Sequence, residues 1–333
     1  GIIENSVELA SKVSKLGYSL TSETDTEVIV HLLDHELKTQ GEGKDHLDAF
    51  CSVISQLSGS WAIAAMASGL EGILISRKGA PLVIGRSRDS ISVSSDVQPF
   101  YGACSEVAYM EDGDNLLLTK EGIVPPTDQE TPIFEPLQGV YDEEDPGNFP
   151  HMMLKEIHDQ PTALSNALSG RISADGINSE LSGFDLSPEQ IKKLDRINLV
   201  ACGTAYYASE IISSYIRQFT NLRSEAFIAS EFPAKSVCSK NTLTIGVSQS
   251  GETKDTLDAL FEAKKFGSHI SSICNVIGST MARLTGNGAY LHAGPEYAVA
   301  STKVFTNMVA VGLLFALTVS NISSLEKKEL IKE

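Results

Sequence analysis

From residue 197 to residue 319, short apolar runs alternate with segments whose apolar residues recur at helical spacing. This alternation constrains the fold more than any other feature. The runs at 197–201, 226–229, 243–247, 270–276 and 289–292 have strand length. Amphipathic helical patterns occupy 205–219, 255–266 and 302–319. Apolar strands separated by helices are covered on both faces, which predicts βαβ units and a mostly parallel sheet. In such a sheet a ligand sits beyond the carboxyl ends of the strands.

Three of these strands run into turns rich in hydroxyls. The strand at 243–247 leads into Ser248-Gln249-Ser250-Gly251-Glu252-Thr253, and a helix follows. Gly251 lets backbone approach a ligand closely, and the helix N-terminus adds free N–H groups and a positive dipole end. That is a phosphate cradle with no Lys or Arg required. Capping by Ser250 or Thr253 is the plainer reading, but a cap needs one such residue and this turn has three hydroxyls and Gln249. The strand at 197–201 leads into Cys202-Gly203-Thr204-Ala205, with Thr204 placed to donate at the same sheet edge. Cys202 has no His near it in sequence and reads as a packed thiol. The third turn is Ala293-Gly294-Pro295-Glu296, followed by Ala298-Val299-Ala300-Ser301-Thr302-Lys303. Lys303 is either a ligand contact or a solvated lysine.

The first 125 residues follow another pattern. Asn5-Ser6-Val7-Glu8 has capping-box spacing, with Leu9, Val13 and Leu16 behind it and Gly17 as a left-handed stop. Thr24-Asp25-Thr26-Glu27 repeats the capping pattern ahead of Val28, Ile29, Leu32 and Leu33. Asp25 either favours the helix dipole or binds a ligand ammonium. His31 and His35 lie four apart, but Leu32 replaces the glutamate of H-E-x-x-H and no third ligand is evident, so no metal site is expected. From 61 to 125, short apolar stretches alternate with turn residues, the pattern of antiparallel hairpins. Residues 126–150 are Pro-rich and include the acidic run Asp142-Glu143-Glu144-Asp145, read as a solvated interdomain linker. A helix near 152–160 is interrupted by Pro161, and 163–168 forms a further turn or helix. The expected organisation is 1–125, a linker 126–150, and 151–333.

A formal charge of -17 leaves no net basic field for a nucleic-acid backbone. The longest apolar candidate, 308–319, is too short to span a membrane, and no signal peptide is visible. Five separated cysteines without a C-x-x-C pair fit a reducing cytosol, so a cytoplasmic location is expected. Gly1 in place of Met reads as the interior of a longer chain.

These residues together resemble the glutamine–fructose-6-phosphate aminotransferase family. The resemblance rests on Gly1-Ile2-Ile3-Glu4-Asn5, Ser22-Glu23-Thr24-Asp25-Thr26-Glu27, Lys155-Glu156-Ile157 with Gln160-Pro161, and Ser169-Gly170-Arg171-Ile172. It continues through Cys202-Gly203-Thr204, the turn from Ser248 to Thr253, and Val299-Ala300-Ser301-Thr302-Lys303. It implies an α/β protein overall: part of an N-terminal-nucleophile (Ntn) glutaminase α+β domain, then a sugar-isomerase (SIS) α/β domain with a parallel sheet. By the same resemblance, Gly1 belongs to an oxyanion hole and Asp25 holds the α-amino group of glutamine. Thr204, Ala205, Ser248, Gln249, Ser250 and Thr253 form the sugar-phosphate site, with Val299 and Ser301 lining it. Ala205 stands where a serine is usual. The implied ligands are fructose 6-phosphate, glucosamine 6-phosphate and glutamine, with no metal or prosthetic group and with a homodimer as the assembly.

The resemblance also places the nucleophilic cysteine upstream of Gly1 and a second isomerase domain downstream of Glu333. The expectation is therefore a chain that binds sugar phosphate without hydrolysing glutamine. Two other readings stay open: a non-catalytic sugar-phosphate-binding module, and a simple phosphosugar isomerase with His292 as its base.

Overall fold

The computed structural model describes residues 1–39, 45–137, 146–173, 179, 181–232, 238–320 and 324–332. The acidic run at 142–145 lies outside the described residues. The chain divides into two compact units, Gly1–Tyr141 and Asp142–Glu333.

The first unit opens with β1 (Ile2–Ile3), α1 (Ser6–Lys15), α2 (Glu27–Thr39) and α3 (His46–Ile54). Next come β2 (Gly59–Ala65), β3 (Ile73–Lys78), β4 (Val83–Arg86) and β5 (Ile91–Ser94). The unit ends with β6 (Glu106–Tyr109), β7 (Asn115–Leu118), β8 (Ile123–Val124) and β9 (Glu135–Pro136). The strands form two sheets, ordered β1-β2-β3-β7-β8 and β5-β4-β6-β9, and neighbours pair antiparallel. Successive side chains of a strand point to opposite faces, and β3 shows the result. Leu74 joins Val13, Leu32 and Phe50 in a helix-covered core, whereas Ile75 joins Ile84, Ala108 and Leu116 in a second core between the sheets.

Asn5 does precede α1, but its side chain makes no cap bond. Its Nδ2 donates to the Gln56 carbonyl at 2.8 Å and its Oδ1 accepts from the Ser58 N–H at 2.9 Å, tying α1 to the chain leaving α3. A longer-range bond has displaced the local cap. Glu27 reaches back as a capping-box glutamate does, but past Thr24. Its carboxylate accepts from the backbone and hydroxyl groups of both Thr21 and Ser22.

The second unit begins with α4 (Met152–Leu168), α5 (Pro188–Lys193), β10 (Arg196–Ala201), α6 (Thr204–Phe219) and β11 (Arg223–Ile228). It continues with β12 (Thr242–Ser248), α7 (Lys254–Lys265), β13 (His269–Cys274), α8 (Thr280–Thr285) and β14 (Gly288–Tyr290). The last elements are α9 (Lys303–Thr318) and α10 (Ser324–Lys332). The sheet order is β11-β10-β12-β13-β14, parallel throughout. Ile197, Leu199, Leu243, Ile245 and Val247 pack on one face with Ile212 of α6 and Phe315 of α9. On the other face Val200 and Ile270 meet Leu257 and Leu260 of α7. Burial on both faces is why these strands read as unbroken apolar runs. Each fully buried large aliphatic or aromatic side chain contributes about 1.5–3 kcal/mol.

Pro161 does not interrupt a helix: α4 runs continuously through it. Proline lacks the N–H that would bond the carbonyl four residues back. That carbonyl, of Ile157, instead accepts from Gln160 Nε2 at 3.0 Å, so the expected break is repaired by a neighbouring side chain.

Candidate functional site

The strand order puts a topological switch at β10 and β12. From β10 the chain moves outward to β11, then returns to the other side of β10 as β12. Helices α6 and α7, which follow these two strands, cover opposite faces of the sheet. The divergence opens a crevice at the strands' carboxyl ends. It is a cleft of about 150 Å3 lined by Cys202, Thr204, Ala205, Val247, Ser248, Gln249, Ser250, Thr253, Ser301 and Met308. Three turns far apart in sequence are thus brought to one place. Val299 is not among the lining residues and stands fully exposed.

Helix termini distinguish this cleft from ordinary capping. In this unit α4, α5 and α8 have their first turns capped by the side chains of His151, Ser187 and Ser279. The N-caps of α6 and α7, Gly203 and Thr253, make no such bond. These two helices begin at the cleft, where a bound anion would meet their N–H groups and dipoles.

The turn after β12 holds its own shape. Ser248 Oγ accepts from the Gly251 N–H at 3.0 Å and lies 3.3 Å from Thr253 Oγ1. Ser250 Oγ accepts from the Glu252 N–H at 3.1 Å, which leaves the Ser250 hydroxyl proton to be donated. Gly251 has φ of +70°, a conformation costly for other residues. Glu252 directs Oε1 to the Thr280 N–H at 2.8 Å, at the start of α8.

The turn before α9 is built differently. Glu296 Oε1 accepts from the N–H groups of Thr302 at 2.8 Å and Val304 at 3.2 Å, and Oε2 accepts from the Ser301 hydroxyl at 2.8 Å. A carboxylate therefore occupies this helix N-terminus. Behind it Glu156, only 1% exposed, accepts from the N–H groups of Tyr297 at 2.6 Å and Ala298 at 3.2 Å. Lys303 is not a solvated lysine. It is buried, with Nζ 3.6 Å from Asp159 of α4.

Cys202 packs against the α7-side core, with Sγ 3.9 Å from the Thr256 hydroxyl. His292 does not line the cleft. Its backbone has φ of +50°, and burial first, then Arg171, holds its imidazole below the usual range.

In the first unit, β1 lies along β2, with Ile2 opposite Ser60 and Ile3 opposite Gly59. A Cβ at Gly1 would fall 2.2 Å from the Ser60 carbonyl oxygen, so only glycine fits. Asp25 Oδ2 accepts from the Ile3 N–H at 2.8 Å, which brings Asp25 beside the strand that follows Gly1. His31 packs its ring 5.1 Å from that of Tyr18 and faces Glu27 at 3.3 Å.

Comparison with known proteins gives these units their relationship. A glutamine amidotransferase domain model matches residues 1–102, and an SIS domain model matches residues 190–318. The glutamine–fructose-6-phosphate aminotransferase (isomerizing) of Clostridium acetobutylicum is 38% identical over all of this chain and 55% of its own length. That of Thermotoga maritima is 38% identical over 99% of this chain and 54% of its own. The chain belongs to the glutamine–fructose-6-phosphate aminotransferase family. It spans about half the length of the curated relatives it matches. Among solved structures, the C-terminal domain of glucosamine-fructose-6-phosphate aminotransferase from Francisella tularensis superposes with a TM-score of 0.53 at 31% identity, covering 56% of this chain and 54% of that one. Among the described residues no helix is long and apolar enough to cross a membrane.

The roles of two residues behind this aminotransferase-family cleft escaped the sequence reading. Glu296 caps a helix that starts several residues later, beyond the three-residue spacing of a capping box. Glu156 lies on a helix distant in sequence; the Lys155-Glu156-Ile157 motif contains it, but nothing in the sequence tied it to the turn before α9.

Proposed function

We propose that the cleft binds the phosphate and adjoining carbons of a hexose phosphate. We further infer that this chain supplies part of the glutaminase domain and the first sugar-isomerase domain of an enzyme that converts fructose 6-phosphate and glutamine into glucosamine 6-phosphate and glutamate. The observation that carries the reading is the pair of uncapped helix N-termini, α6 and α7, meeting at a hydroxyl-lined switch point. A phosphate there gains N–H donors and two positive dipole ends. The hydroxyls of Thr204 and Ser250, and one of the Ser248–Thr253 pair, add neutral donors, and Gln249 adds an amide. In the first unit Asp25 is assigned to the α-amino group of glutamine, with Gly1 supplying a backbone N–H to the developing oxyanion. The nucleophile and the second isomerase domain come from parts of the enzyme outside this chain. A cytoplasmic location and a homodimeric assembly belong to the same proposal.

Calorimetric titration of the purified chain with fructose 6-phosphate and glucosamine 6-phosphate, beside a Ser250→Ala variant, tests it. Binding that the variant weakens supports the cleft as the phosphate site. Binding that it leaves untouched moves the site elsewhere.

A further inference from the structure

We propose that Asn275 is a positioning residue that locks the turn after β12 to the chain entering α9, so that a ligand held by one turn steadies the other. This rests on the reading of the cleft as a sugar-phosphate site and adds how two of its turns are kept in register.

Asn275 is the first residue beyond β13, between β12 and β14 at the carboxyl edge of the sheet. On the β12 side its N–H donates to the Gln249 carbonyl at 3.2 Å. On the β14 side the Leu291 N–H donates to the Cys274 carbonyl at 2.9 Å, which carries the backbone pairing one residue past β14. His292 then turns the chain. Among the described residues it is the one residue other than glycine with a left-handed backbone, φ of +50°. Such a conformation persists only where its surroundings hold it.

The Asn275 side chain supplies that hold. Its Oδ1 accepts from the Ala293 N–H at 3.0 Å, and its Nδ2 donates to the Gly294 carbonyl at 2.7 Å. A side-chain amide thus replaces the peptide group of a strand and continues the pairing past the kink. The task needs a donor and an acceptor side by side, which an ionised carboxylate cannot offer. Beyond Gly294 the tether continues through Glu156, which accepts from the Tyr297 and Ala298 N–H groups. Glu296 then accepts from the Ser301 hydroxyl and the Thr302 N–H. Gln249 and Ser301 line the cleft from separate turns, and Asn275 joins them.

Asn275, Ala293 and Gly294 do not themselves line the cleft, so the link acts through position and not through contact. A ligand that fixes the Ser248–Thr253 turn fixes Gln249, and through it the backbone of Asn275. Linkage is reciprocal. The factor by which bound ligand steadies the segment after His292 is the most that affinity can lose when that segment is released.

The test follows amide hydrogen exchange of the full chain by mass spectrometry, at the peptide covering 291–298, with and without saturating fructose 6-phosphate. In the wild type the ligand should slow exchange there by about threefold to thirtyfold. In Asn275→Ala the ligand should slow it by less than about twofold. Calorimetry should show the same variant binding fructose 6-phosphate about threefold to thirtyfold more weakly. Asn275→Asp keeps the acceptor for Ala293 and loses the donor to Gly294, so it should lose ligand-dependent protection as well. A side chain that only stabilises the fold would change exchange equally with and without ligand. No ligand-dependent protection in the wild type, protection that survives in Asn275→Ala, or unchanged affinity in that variant overturns the proposal. The wild-type comparison carries the test if neither variant folds by circular dichroism. Binding that Ser250→Ala weakens preserves the sugar-phosphate reading whatever the 291–298 segment does. No binding by the folded wild-type chain removes that reading and this inference with it.

Discussion

Gly251 is pressed against Ser279: a methyl group at position 251 would lie 2.2 Å from the Ser279 Oγ and 2.6 Å from its Cβ. Ser279 is buried and caps α8, so it has nowhere to retreat. The backbone at 251 is also left-handed, with φ of +70°. Steric and conformational penalties therefore coincide in the turn assigned to phosphate. Gly251→Ala is expected to cost about 1–3 kcal/mol of stability in the second unit and to abolish measurable phosphate binding. Urea unfolding followed by circular dichroism, together with calorimetry, checks both. Unchanged binding would show that the turn tolerates displacement and does not shape the site.

The Glu27 carboxyl is lowered from its ordinary 4.5 to about 2, first by the Ser22 hydroxyl and then by the Thr21 N–H. A carboxylate depressed in the folded state stabilises above its unfolded pKa and loses that contribution as pH falls through the folded one. The loop ahead of α2, which carries Asp25, should therefore loosen between about pH 4.5 and pH 2. Trp61, the single tryptophan, is buried in the first unit and reports its unfolding. The difference in urea midpoint between wild type and Glu27→Gln should be constant above about pH 5 and shrink toward zero near pH 2. A flat difference across that range would refute the clasp.

Much of the second unit was legible because its physics is local. A strand buried on both faces must be apolar throughout, and the runs at 197–201 and 243–247 fall within β10 and β12. Their turns followed from the rule that ligands sit at strand carboxyl ends. What escaped depends on contacts that sequence does not print. Asn5 occupies a cap position but spends its side chain on Gln56 and Ser58. The helix α3 was passed over although Leu47, Phe50, Val53 and Ile54 follow helical spacing and Asp45 caps it. Val299 matches a family motif yet stands in solvent, because a motif fixes chain order and not the direction of a side chain.

Pro161 leads to a prediction about helix continuity. A proline within a helix costs about 3 kcal/mol, part of which is offset by its restriction of the unfolded chain. Here the Gln160 side chain already serves the freed Ile157 carbonyl, and Gln160 Oε1 accepts from the Thr306 hydroxyl of α9 at 2.6 Å. Pro161→Ala should restore the backbone bond and stabilise the second unit by about 1–2 kcal/mol. Gln160→Ala should destabilise by about 1 kcal/mol in the wild type and by less beside Pro161→Ala, since the carbonyl is then served by the backbone. A double-mutant cycle by urea unfolding measures that coupling, and strict additivity would mean that Gln160 does not repair the helix.

Ala205 offers a gain of function rather than a loss. It lies in the first turn of α6, 8% exposed, and lines the cleft beside Thr204. A hydroxyl there would project among the donors assigned to phosphate. Hydrogen bonds to a charged group contribute about 1.5–3 kcal/mol, which corresponds to roughly tenfold to a hundredfold in affinity. Ala205→Ser should therefore tighten inorganic phosphate and fructose 6-phosphate by the same factor, at least about tenfold, because the added donor meets only the group the two ligands share. Glucosamine 6-phosphate should gain equally. A gain confined to the sugar phosphates would place Ala205 against the sugar carbons and reverse the orientation assigned to the cleft. No gain in any ligand would place the phosphate away from the α6 N-terminus.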